Sequence, residues 1–295
     1  MLIRLGYDLH FELPAPTVMT TLLHVHPSRC ADLRQPDILQ VEPFVTTEFF
    51  HDLFGNQATR LQLPAGQARL HCRTLIEDPG TVDERDPAAP QIEIAALPPN
   101  VLRYLMGSRY CEVDLLSAIA LELFGNTRPG WERVEAICSW VHTRVVFSYA
   151  AARATRSALD VFTERVGVCR DFQHLAITFC RCLNIPARYA AGYLGDIGVP
   201  AAPSPMDFSA WFEVYLGGRW WACDARHNTR RAGRVLMATG LDATDAAITT
   251  TFGASTLTHF EVISEEVPND SMNGSDGLSQ PVEGRAFPIP HTASA

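Results

Sequence analysis

Cys169 is the residue in this sequence best placed to do chemistry. It stands in Gly167-Val168-Cys169-Arg170-Asp171-Phe172, where a glycine frees the backbone and the cysteine opens an apolar run with helical spacing. A thiol at a helix N-terminus faces unpaired N–H groups and the positive end of the helix dipole. Both stabilise thiolate and make sulfur nucleophilic near neutral pH. The same residue also fits a plain packing role, because a free cysteine behaves as a small apolar side chain.

A thiolate nucleophile needs a base or imidazolium partner, and a third group to hold that partner's tautomer and orientation. Downstream, the segments from Met206 to Tyr215 and from Arg219 to Arg226 flank Gly217-Gly218, the two-residue signal of a β-hairpin. Folded about that turn, residue 209 lies opposite 226 and residue 211 opposite 224. Positions 209 and 224 are then diagonal neighbours on one face, within reach only of a long side chain.

The order cysteine on a helix, then a position on one strand, then aspartate on the next resembles the cysteine, histidine and aspartate triad of the transglutaminase-like superfamily. GVCRDF, then HLAITFCRCLNIPARYAAGY, then DFSAWFEVYLGGRWWACDARHN and TTTFG are similar to that superfamily's bacterial branch of cysteine-protease-like proteins. The likeness runs from about residue 100 to residue 260, and the β-rich first part resembles the region that accompanies this branch. The resemblance implies an α+β fold: an N-terminal antiparallel β domain, then a papain-like domain of helices and antiparallel sheet. Carried over by position, Cys169 matches the nucleophile and Asp224 the orienting acid. Ser209 matches the position of the histidine but not its chemistry. A serine hydroxyl has no usable pKa near seven and is too short to bridge to Asp224.

Two histidines are weak substitutes. His174 follows Cys169 by five residues, which turns it roughly 140° from the cysteine's face of a helix. His227 follows Asp224 by three, so strand alternation sends it to the opposite face unless the strand ends or bulges at Ala225-Arg226. Nothing in the sequence places His142. Asp171 in the first helical turn suits a structural role at the dipole more than a catalytic one. The Cys169 N–H is the natural oxyanion donor, with Tyr149 a guess for a second. Phe208, Trp211, Phe212, Tyr215, Trp220 and Trp221 read chiefly as core and cross-strand aromatic packing.

Two activities follow as expectations. One is a cysteine enzyme that opens peptide or isopeptide amide bonds through a Cys169 acyl-enzyme, by hydrolysis more than transfer. The other is a catalytically impaired relative that binds a peptide or protein. Cys180-Arg181-Cys182 and His24-Val25-His26 lack the spacing and number of ligands of a zinc site. Phosphate-binding glycine loops and D-x-D-x-D calcium loops are absent from the sequence, so neither a cofactor nor a metal is expected.

The elements that must hold these residues fall into two blocks. Residues 1 to about 78 alternate in short stretches (Leu5 to Leu13, Thr20 to His26, Gln67 to Ile76) and read as antiparallel strands. Asp78 to Pro99, with five prolines and the run DERD, reads as a linker, and places a boundary near residue 90. Helical spacing follows from Pro98-Pro99 through Leu102 to Met106, over Val113 to Leu123, over Trp131 to Val146, and from Cys169 to Leu183. Strands are predicted at Ala187 to Leu194, Ala210 to Leu216 and Arg219 to Ala225. The expected organisation is thus a β-rich unit at 1–90, a core domain at 91–264 and a mobile tail at 265–295, which is rich in Pro, Gly and Ser.

Bulk composition narrows the partners. With 295 residues, 47% hydrophobic and 19% charged, the chain can bury large cores. A net charge of −9 argues against nucleic acid or an anionic membrane as standing partner. No run reaches the roughly 18 apolar residues of a spanning helix. The start, MLIRLGYDLHFEL, alternates apolar and polar residues and does not read as a signal peptide, and eight cysteines without a CxxC pair lead to the expectation of a cytoplasmic protein. A peptide or protein substrate is the expected partner; oligomeric state is not legible.

Overall fold

Alternation over the first strand sets the architecture of the N-terminal half. In β1 (Leu2–Leu13) the odd positions from Ile3 to Leu13 are buried, while Arg4 and Glu12 on the other face are exposed. This is the period-two pattern of a sheet packed on one side. The structure is a computed structural model that describes residues 1–202 and 205–268.

Along the chain β1 is followed by β2 (Thr17–Thr21), β3 (Gln40–Glu42), β4 (Thr47–His51), β5 (Gln57–Leu63) and β6 (Gly66–Glu77). The helical section holds α1 (Val113–Phe124), α2 (Trp131–Arg144), the short β7 (Val146–Phe147), α3 (Ala158–Glu164), β8 (Val166–Gly167) and α4 (Cys169–Cys182). Then come β9 (Ala187–Leu194), β10 (Ser209–Leu216), β11 (Arg219–Cys223), β12 (Arg234–Gly240), β13 (Thr249–Phe252) and β14 (Thr256–Val267). No helix among the described residues is long and apolar enough to cross a membrane.

Three four-stranded sheets result, in the orders β14-β1-β6-β3, β13-β2-β5-β4 and β11-β10-β9-β12, with β7 and β8 paired in parallel. The first two close on each other around β1, β6, Met19, Leu61 and Leu63. The same core takes in Tyr193 of β9 with Val235 and Met237 of β12, so the N-terminal sheets pack on the third sheet. The other face of that sheet (Ala210, Phe212, Val214, Leu216) is covered by α4, around which α1, α2 and α3 gather. Helices on one face of an antiparallel sheet make this an α+β fold, as the sequence predicts.

Several expectations need correction. The chain returns at its end: β13 pairs with β2, and β14 with β1 from Leu2↔Val267 to Glu12↔Thr256. Strands from residue 249 onward are therefore built into the N-terminal sheets, not into a core domain that runs to 264. Residues 265–267, expected in the tail, belong to β14; residues 269–295 of that tail lie outside the described residues. Pairing across some 250 positions leaves no local trace in the sequence.

The segment expected as a linker is tied down. Asp83 bonds the Arg234 guanidinium and the Arg231 N–H, while the carbonyls of Ala89 and Pro90 accept from Trp131 and Gly217. The run from Leu102 is only a 3-10 turn, Leu102–Leu105, and strand β2 stops at Thr21, short of the expected His26. α3, β4, β5 and β12 escape the sequence reading altogether.

Candidate active site

The hairpin has the register that its glycines predict. Leu216↔Arg219 through Phe212↔Cys223 pair around Gly217 and Gly218, whose φ values of 59° and 92° are those of a two-residue primed turn. Regular pairing stops at Cys223, so the 211/224 and 209/226 positions lie just beyond the ladder. Asp224 causes the stop. Its Oδ1 accepts the N–H groups of Arg226 (2.9 Å) and His227 (3.1 Å), and folds the chain back on itself as an Asx turn.

That turn brings His227 to Asp224. His227 Nδ1 donates to Oδ2 at 2.9 Å, which leaves Nε2 free on a ring that is 26% exposed. The expectation for His227 requires the strand to end or bulge at Ala225-Arg226, and it ends at Cys223, two residues before that pair. Arg234 Nη2 also donates to Oδ2, at 3.1 Å, and Gln173 Nε2 to Oδ1 at 3.1 Å. These partners outweigh the cost of burial and hold the Asp224 carboxyl well below the usual carboxylate range.

Gln173 and Arg234 went unremarked in the sequence. Gln173 is fully buried, and it ties α4 to the hairpin by donating to Ala210 O (3.2 Å) and accepting from Ala225 N–H (3.1 Å). Its signal was there to read: four residues past Cys169, it is turned only about 40° from the cysteine on the helix. Arg234 opens the apolar run of β12, carries its charge inward and bridges Asp224 to Asp83. A buried charge at a strand start demands such partners.

Cys169 occupies the first position of α4, as predicted, half-buried against the hairpin. Asp171, fully buried, accepts the Val168 N–H at 3.0 Å and a two-pronged bond from Arg170 at 3.0 and 2.8 Å. It is thus spent on the helix start, the structural role expected of it. Gly167 is required there, since a Cβ would come within 2.6 Å of the Asp171 Cβ.

The thiol itself differs from expectation. Burial, and then the charge of Asp207, push the Cys169 thiol up to about 11; Arg226 and hydrogen bonding from the Ala210 and Arg170 backbone pull it down but do not prevail. A thiolate pre-formed near neutral pH is therefore not what this environment provides, despite the helix start. None of the thiol's principal influences is an imidazole. Asp207, in the segment entering β10, has its carboxyl raised by burial to about 6, against opposing effects from the Phe208 N–H and Arg226. Sequence reasoning missed Asp207, although an acid two residues before a buried strand was visible.

The other candidates separate. His174 is buried, stacked on Tyr110 with ring centres 4.9 Å apart, and its Nε2 accepts the Ala243 N–H at 3.1 Å. Burial drives its pKa down to about 3, so it is a neutral structural imidazole. Ser209 pairs with Gly192 at the start of β10. His142 donates from Nδ1 to the Arg226 carbonyl at 2.7 Å and so braces the Asp224 turn. Tyr149, in a 3-10 turn, has its hydroxyl pushed up by burial and then by its nearness to Asp207 and Cys169.

The pairs suspected as metal ligands diverge. His24 is buried against Thr59 and Asp37, whereas His26 caps the Pro27–Asp32 turn. Cys180 is buried in the helical core and Cys182 meets Ser117. The aromatic residues pack as expected: Trp221 is edge-on to Trp131 and Trp220 to Tyr104.

A cysteine at the start of a helix, laid on an antiparallel sheet beside a hairpin that ends in a buried carboxylate, defines a papain-like cysteine-protease fold. Residues 117–225 match the family model of the transglutaminase-like superfamily. A crystal structure of a candidate cysteine protease from Cytophaga hutchinsonii superposes with a TM-score of 0.80, at 30% identity over 92% of each chain. A protein of Mycobacterium leprae without assigned function is 27% identical over 135 residues, 45% of this chain and 48% of that one. The chain thus spans about half the length of that curated relative. This chain belongs to the transglutaminase-like superfamily.

Proposed function

We propose that the chain is a cysteine hydrolase of peptide or isopeptide amide bonds in which Asp207, in place of an imidazole, handles the proton of Cys169. The observation that carries this reading is that a carboxyl raised by burial to about 6 lies near enough to the half-buried Cys169 thiol for its charge to act on the sulfur. A thiol that is not pre-ionised must lose its proton as it attacks. A carboxylate lifted to about 6 is a far better base for this than an ordinary one.

In the first half-reaction the Cys169 Sγ–C bond forms as the thiol proton passes to Asp207. The protonated carboxyl then gives that proton to the leaving amine as the C–N bond breaks. Water completes the cycle: it loses a proton to Asp207 as its oxygen bonds the acyl carbon, the Sγ–C bond breaks, and Asp207 returns the proton to the Cys169 sulfur as the acid leaves. The Cys169 N–H, with no carbonyl one turn back to bond, and the Tyr149 hydroxyl are suited to the developing oxyanion. Asp224 acts as a positioning residue: through Gln173 and the Arg226 turn it fixes the hairpin against α4.

The second reading, a peptide-binding relative without turnover, is favoured by the Ser209 position and the raised thiol. Trapping separates the two. A peptide thioester or activated ester incubated with the full chain should leave an acyl group on Cys169, found by mass spectrometry and absent in Cys169→Ala. Binding of the peptide without any such adduct would sink the hydrolase. All eight cysteines are free, and burial raises the thiols of Cys111 and Cys72 to about 11 and about 12. Free thiols throughout support a reducing compartment, the cytoplasm, as the place of work.

A further inference from the structure

We propose that the outer face of the first sheet carries a binding site for a borderline divalent transition-metal cation, Zn²⁺ being the type, formed by His10, His259 and Asp8. The three offer ligand atoms that all lie within 4.8 Å of one another. They come from two adjacent strands in fixed register: His10 of β1 faces His259 of β14, and Asp8, two residues earlier, shares the outward face of β1. The pairing shifts just past His10, and such an irregularity increases local twist. The two rings sit with centres 4.7 Å apart.

The chemistry of the donors selects the ion. Two imidazoles and one carboxylate suit zinc and its neighbours, whereas calcium and magnesium demand oxygen ligands. Metal–ligand bonds of about 2.0–2.2 Å require these atoms to draw in slightly around the ion, within rotamer adjustment of rings that are 42% and 48% exposed.

Protons balance without cost. At present His10 Nε2 donates to Asp8 Oδ1 at 2.9 Å. A metal ion would take that donor's place on Oδ1, while His10 moves its proton to Nδ1 and turns the Nε2 lone pair to the ion. Arg69 grips both oxygens of Asp8 at 2.9 and 2.7 Å, fixing the carboxylate plane from the outer shell while its charge opposes the cation. Glu261, opposite Asp8 on β14 and 3.9 Å from His259, is placed to offset that charge. Occupancy would clamp β14 to β1, and binding to the folded state alone stabilises it.

Co²⁺ titration of the full chain, followed by absorbance, tests this. The expected result is saturable binding at one equivalent without a thiolate charge-transfer band, weakened at least tenfold in His10→Ala and in His259→Ala. Arg69→Gln should bind several-fold tighter, and Zn²⁺ should raise the melting temperature of the parent but not of the two histidine variants. Thiolate bands, affinity unchanged in both histidine variants, or no saturation into the millimolar range would each overturn the proposal.

Discussion

Two carboxylates sit on either side of the same hairpin and meet opposite fates. Asp224 is enclosed by Gln173, Arg234, His227 and two backbone N–H groups, and its charge is fully answered. Asp207 has one backbone donor and the more distant Arg226, so burial wins and its proton stays on to about 6. The difference teaches which acid can exchange a proton during a reaction. A carboxylate locked by five donors is architecture; one left half-satisfied within electrostatic reach of a thiol is what the proposed acid–base role requires.

The comparison breaks most sharply at the nucleophile. Cys169→Ala should lower hydrolysis of an activated peptide ester by at least about 10³-fold, with an unchanged melting temperature. Residual turnover of more than a tenth of the parent's would remove Cys169 from the reaction.

Substitution of each acid should fail in a different way. Asp207→Asn should cut kcat about 10²- to 10⁴-fold with no loss of urea stability, since the neutral amide removes a buried charge. Asp224→Ala should instead cost about 3 kcal/mol in urea unfolding, because Arg234 and Gln173 lose a buried partner. If the two variants showed the same loss of stability, the division of labour would be wrong.

The pH dependences run in opposite senses. Asp224, with its folded pKa depressed, contributes stability that is present above the ordinary 3.8 and lost as pH falls through its folded value. Asp207, with its folded pKa raised from 3.8 to about 6, favours the fold at low pH and loses that contribution as pH rises through this window. Denaturation of Asp207→Asn from pH 4 to pH 7 should therefore show a steeper gain of stability with pH than the parent. An identical slope would place the Asp207 pKa near its ordinary value.

The smallest effect belongs to His227. Its ring is partly exposed and donates one bond to a carboxylate that keeps four other donors, so His227→Ala should cost about 1 kcal/mol and change kcat less than about threefold. A loss of turnover comparable to that of Cys169→Ala would restore an imidazole mechanism.

What the sequence disclosed follows the range of the forces involved. The hairpin register, the helix opened by Cys169 and the strand Ala187–Leu194 rest on local turn chemistry and periodicity, and they could be read directly. The β14–β1 pairing and the Asp83–Arg234–Asp224 bridge join residues far apart in sequence, and no local pattern encodes them. The nature of the thiol was misjudged for a related reason. The helix start is local and visible, whereas the burial and the Asp207 charge that override it are tertiary.

The most direct test of the central claim is the rate of Cys169 alkylation by iodoacetamide against pH, measured beside peptide hydrolysis in the parent, Asp207→Asn and His227→Ala chains. The account predicts a parent thiol that titrates well above pH 8, faster alkylation in Asp207→Asn because a repelling charge is gone, and hydrolysis nearly abolished in that same variant. A parent thiol that titrates below pH 7, and moves upward only in His227→Ala, would contradict it and identify His227 as the partner of Cys169.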